Sequence, residues 1–174
     1  MEQYRISKYN PIYRDCTGAY KKNEWTAYSD IGNIYDGERF TTEQYLEIES
    51  KYCNAIITIL KQQKIKYFQI QDLEMPFTLK EIEKAFCEKG LEITESQKRI
   101  VKTIQENQII SIKQIKTYLT MLLRECFWCV LADIEGKSYI DVGYDYYIHL
   151  TCKGIDSQMI SNLQEQGIYV EQIL

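Results

Sequence analysis

Glycine and proline are scarce in this 174-residue chain, at 8 and 2. Few glycines leave few places where backbone can wrap closely around a phosphate. Neither G-x-G-x-x-G nor G-x-x-x-x-G-K-[ST] occurs. That argues against a dinucleotide or nucleoside-triphosphate fold. Histidine is rarer still: His149 stands alone, which limits the proton transfers usually run near neutral pH. The longest apolar stretch, near Ala55–Leu60, is interrupted by Thr58 and is far short of a membrane span. Residues 1–8 are polar and charged and hold no apolar leader core. A cytoplasmic chain without membrane contact is the expectation.

What is present is a globular composition, 45% hydrophobic and 26% charged, which excludes a disordered chain or a rod. A mass of 20.7 kDa suits one domain over residues 1–174, able to bury a core without disulfides. The six cysteines are therefore expected as thiols, with Cys53 and Cys87 as small core residues. The net charge of −4 is uneven. Residues 125–174 hold 8 acidic and 2 basic groups, leaving 17 acidic and 19 basic groups upstream. An acidic carboxy-terminal third repels nucleic acid and attracts basic proteins, although it also serves as a solvating surface.

Period and punctuation give the elements. Gln3–Ser7 reads as a strand, followed by an irregular, aromatic-rich segment to residue 40 that is packed on the domain. Thr41 and Gln44 form a capping-box pattern opening a helix to about Leu60, and Thr78 and Glu81 open another that stops at Gly90. Residues 95–106 form a third helix, and Ser111 caps a fourth. Tyr67–Leu73 alternates as a strand. After Arg124 the period becomes that of strands: Phe127–Ile134, Tyr139–Val142 and Tyr144–Thr151. Asp156 then caps a helix to about Glu165, and Ile168–Ile173 closes as a strand. The fold class is α+β, with an antiparallel meander in the C-terminal third covered on one face by several helices.

Several constellations invite chemistry. Cys126 and Cys129 form a C-x-x-C, but the pair follows a helix, whose negative end disfavours a thiolate. With His149 and Cys152 the same pair has zinc-ribbon spacing, although residues three apart on a strand face opposite ways. Asp133, Glu135, Asp141 and Asp145 cluster around the meander and suit a small hydrolase or a cation-binding face. Alternation puts Tyr144 and Tyr146 on one face of a strand, where tyrosine is either an interface anchor or an ordinary strand former. Residues 78–106 place two capped helices in series, as a helix-turn-helix would, but residues 80–106 balance six acids against six bases.

The segments Tyr9-Asn10-Pro11, Tyr13-Arg14-Asp15 and residues 25–32 (Trp-Thr-Ala-Tyr-Ser-Asp-Ile-Gly), with residues 143–147 (Gly-Tyr-Asp-Tyr-Tyr), resemble small bacterial immunity proteins of polymorphic and contact-dependent growth-inhibition toxin systems. The resemblance implies a protein that binds a cognate toxin domain, often a nuclease, and occludes its active site or substrate path. It implies no catalytic residues, cofactor or metal. The expected partner surface is basic. Asp133, Glu135, Asp141 and Asp145 are expected to pair with it, and Tyr144 and Tyr146 to anchor it. Trp25 and Tyr28 join them unless they only pin the amino-terminal segment to the core. A carboxylate hydrolase and a regulatory nucleic-acid binder are the alternatives.

Overall fold

The computed structural model describes residues 1–173. Strand β1 spans Glu2–Ser7 and is followed by irregular chain that includes a small hairpin, β2 (Ile34–Tyr35) and β3 (Glu38–Arg39). Helix α1 is Thr42–Gln62; its cap Thr41 accepts from the Gln44 backbone while the Gln44 side chain accepts from the Thr41 N–H. The same reciprocal bonding by Thr78 and Glu81 opens α2 (Leu79–Glu88), and by Thr94 and Gln97 opens α3 (Glu95–Thr103). Between α1 and α2 lies β4 (Tyr67–Glu74). Then come β5 (Ile109–Ser111), α4 (Ile115–Leu123), β6 (Trp128–Asp133), β7 (Tyr139–Val142), β8 (Ile148–Cys152), α5 (Ser157–Glu165) and β9 (Tyr169–Gln172).

Two helix boundaries differ from expectation. Helix α3 ends at Thr103, because Ile104 turns to extended backbone and is buried. Glu106 then leaves the helix path and accepts backbone N–H groups of Asp72 and Leu73. Ser111 ends a strand instead of capping α4; its N–H and hydroxyl donate to the side chain of Gln114, the residue that precedes the helix.

The meander β6–β7–β8 is present, but it is the middle of a larger sheet. Seven antiparallel strands run in the order β5-β4-β6-β7-β8-β1-β9. Pairings of β1 with β8 and of β4 with β6 bring in strands from the first half of the chain, so the sheet is not confined to the C-terminal third. One face carries Ile6, Phe68, Ile70, Leu131, Ile140, Ile148 and Leu150, all buried. They form one core with Tyr52, Ile56 and Ile59 of α1 and Leu119 and Leu122 of α4. Each such side chain contributes roughly 1.5–3 kcal/mol on full burial. Residues of the opposite parity, among them Arg5, Gln71, Trp128, Asp141 and His149, are half-buried or exposed on an open face.

The aromatic segment before α1 is packed, as expected. Trp25 stacks on Phe40 with ring centroids 4.5 Å apart, and Tyr28 meets Phe86 edge-on. The Lys8 ammonium is 2.9 Å from Glu24 and lies over the rings of Tyr9 and Trp25, at 4.0 and 4.4 Å. Burial pulls its pKa down to about 8. Arg5 and Arg14 both pair with Glu171 on β9, tying this segment to the sheet edge.

Candidate functional site

A cleft of about 600 Å³ opens at one end of the exposed sheet face. Sheet register builds its floor. Glu74 on β4 stands opposite Trp128 on β6, beyond a bulge where Asp72 takes a positive φ of 54°. Asp141 on β7 stands opposite His149 on β8. Gly143 lies against the His149 ring, and an added Cβ would sit 3.2 Å from it.

The wall is the Tyr144–Tyr146 turn, which corrects the expected strand. Asp145 and Tyr146 both adopt positive φ, 57° and 62°. Consecutive non-glycine residues in the left-handed region are uncommon, and for tyrosine the conformation is strained. The turn breaks the alternation: Tyr144 is thrown outward, 91% exposed, while Tyr146 swings into the core at 4%. Packing holds it there. Tyr146 meets Trp25 and Tyr52 edge-on, each at 4.9 Å, and the Tyr9 hydroxyl donates to the Asp145 carbonyl at 2.7 Å. Tyr146 is therefore a structural pin and not a surface anchor, and Trp25 is part of the same cluster. Tyr28 is half-buried against Phe86.

The four acids expected to act together are divided between the two ends of β7. Asp133 is buried, and its carboxylate accepts the Lys137 N–H to hold the β6–β7 hairpin. Glu135 is exposed on that hairpin and ion-paired with Lys137. Asp141 and Asp145 lie at the other end, in the cleft. Glu74, which sequence reasoning missed, joins them. Among the described residues none of these three carboxylates has an ion pair, and no lysine or arginine lines the cleft. Trp128 and Tyr147 supply further aromatic surface.

The thiols do not form a site. Cys126, Cys129 and Cys152 are buried, whereas His149 faces the open side of the sheet, so the four zinc candidates do not converge. Among the described residues no group of three or more potential ligands could hold a metal ion. Burial pushes Cys53 and Cys152 up to about 11, and Cys126 and Cys129 up to about 12. Cys16 and Cys87 are exposed, which corrects the core placement of Cys87. At pH 8, two thiols are expected to react with Ellman's reagent in the native protein and all six after denaturation. Unfolded thiols titrate near ~8.5. Above that pH the unfolded chain has shed protons that the four buried thiols keep, so stability falls as pH rises toward their folded pKa values. Lys8 runs the opposite way between about 8 and its unfolded value near ~10.4, while above about 10 buried tyrosines such as Tyr45, Tyr52 and Tyr146, whose pKa values burial raises, act in the same direction as the thiols. Urea midpoints measured from pH 8 to 11 check the sign.

On α2 and α3, Lys98 is held by Glu83 and Glu95, and Lys84 lies 4.0 Å from Glu88. No helix among the described residues is long and apolar enough to cross a membrane. No family model matches the chain, and neither a curated protein nor a solved structure matches it.

Proposed function

We propose that this protein is an immunity protein that neutralises a toxin domain by seating its acidic, aromatic cleft on a basic surface of the toxin, so that the active site or substrate path is blocked. The cleft carries this reading: Glu74, Asp141 and Asp145 line it together with aromatic rings, and among the described residues none of the three has an ion pair. Such carboxylates suit lysine and arginine side chains that otherwise hold phosphate. Long-range attraction speeds encounter, and desolvated aromatic contacts slow release. Tyr144 is the outer anchor and Trp128 the inner one. No chemical step is involved.

The test is protection. Cells carrying this gene should survive induction of the toxin domain encoded beside it, and Asp141→Lys with Asp145→Lys should abolish survival. Glu135→Lys, on the remote hairpin, should not. A second reading, a hydrolase, draws on Asp141 facing His149 across two strands. Turnover of a nucleotide or glycan by purified protein, lost in Asp141→Asn, would replace the first reading.

A further inference from the structure

Two smaller cavities lie beside the cleft. A cavity of about 210 Å³ lies between Tyr28, Phe77, Ile82 and Phe86, with Glu125 at its edge. Glu125 also lines a second cavity of about 200 Å³, together with Trp128, Gly143 and Tyr144. Those last three residues line the 600 Å³ cleft as well. Shared lining residues thus place a largely apolar pocket, a carboxylate and the acidic cleft side by side. Phe77 and Trp128 touch, with centroids 6.3 Å apart, along the same side.

Glu125 is placed unusually. It follows α4 with a positive φ of 53°, half-buried, and no ion pair reaches it among the described residues. Its neighbour Arg124 is held by Glu49 and cannot neutralise it. An unpaired carboxylate in a partly desolvated place destabilises the fold, yet it sits where two cavities meet.

We infer that the partner is recognised through an extended basic segment laid across these cavities as along one groove, with an apolar side chain in the Tyr28–Phe86 pocket, a cationic side chain on Glu125 and a second cation among Asp141, Asp145 and Glu74. This deepens the cleft reading and rests on it. Alternation explains the order: in an extended segment successive side chains point opposite ways, so apolar and basic residues reach different walls. Arg124 also lines the first pocket but is engaged by Glu49, so the unpaired charges along this path are carboxylates, which disfavour an acidic or phosphate-bearing segment. Glu125 is then the contact that separates a basic segment from a neutral one.

The probe is a fluorescein-labelled octapeptide of alternating leucine and arginine, read by anisotropy against the full-length protein. It should bind, more weakly as salt rises, while the leucine–glutamate octapeptide should not. Glu125→Gln should weaken binding about tenfold, and so should Ala85→Trp, since Ala85 on α2 also lines the first pocket and a tryptophan there would fill it. Glu135→Gln should change nothing. Glu125→Gln preserves shape and should raise the melting temperature, so it answers even if Ala85→Trp fails to fold. Failure of the arginine peptide to bind, or equal binding by folded Glu125→Gln, overturns the groove. If that happens while Asp141→Lys with Asp145→Lys still loses protection, the cleft reading stands without the groove. If that double variant protects fully, the cleft reading itself is wrong.

Discussion

Glu49→Ala is expected to remove about 3–5 kcal/mol of stability, the largest effect of any single change here. Glu49 on α1 and Arg124 at the end of α4 form a two-pronged ion pair at 2.6 and 2.7 Å. Their side chains are 7% and 8% exposed. The guanidinium also donates to the Glu92 carbonyl at 3.1 Å and lies over the Phe86 ring. It thus ties α1, the link between α2 and α3, and α4 together. Removing the carboxylate leaves a buried cation with little compensation. For a chain of this size the loss corresponds to a melting point lower by roughly 6–20 °C. Arg124→Ala should behave similarly. Replacing both by methionine should be milder than either single change, because no unpaired charge remains. A double-mutant cycle in urea measures this, and additive single losses would show that the pair is not coupled.

The second large effect is on partner binding. On the proposed immunity function, Asp141→Lys with Asp145→Lys should weaken the complex with the toxin partner by about 2–4 kcal/mol, roughly 30- to 700-fold in Kd. Both side chains are exposed, so no packing is lost; because Asp145 sits at positive φ, where aspartate and asparagine are favoured over lysine, Asp145→Asn, which keeps that backbone, is the control for strain. The loss should come with a flatter dependence of Kd on salt, because the attraction being removed is screened by ions. Tyr144→Ala should cost about 2 kcal/mol or more if this exposed ring is buried in the complex, with a salt dependence like that of the native protein. Calorimetry at low and high salt separates the two contributions.

Much of the local structure was legible. The threonine capping boxes at Thr41 and Thr78, the helical spacing of α1 and the strand alternation of β7 and β8 are short-range patterns; the box at Thr94 came only with the structure. The breadth of the sheet was not. Nothing within β1 or β4 announces β8 or β6 as its neighbour, since pairing is decided by packing between distant segments. The small hairpin of β2 and β3 and the three-residue β5 are too short to show a period. The candidate site was half visible. Asp141, Tyr144 and Asp145 stood out by composition, whereas Glu74 joins them only through the bulged register of β4 on β6. Tyr146 misled because an alternating tyrosine pattern looks like a strand. The turn is dictated by the half-buried Trp25 ring and the buried Tyr45 and Tyr52 rings that hold it, and tyrosine at positive φ leaves no local signature. Asp133 misled in a different way, since a hairpin carboxylate can face inward to cap its own turn.

The most direct test of the proposed function is an NMR titration of isotope-labelled protein with a candidate basic toxin domain that it protects against, followed at the Trp128 indole and the Gly143, Tyr144 and Asp145 amides. These signals should shift together and saturate at one equivalent, while the Glu135–Lys137 hairpin stays still. Saturable binding that leaves them unmoved and perturbs the hairpin or α5 would contradict the cleft as the neutralising surface.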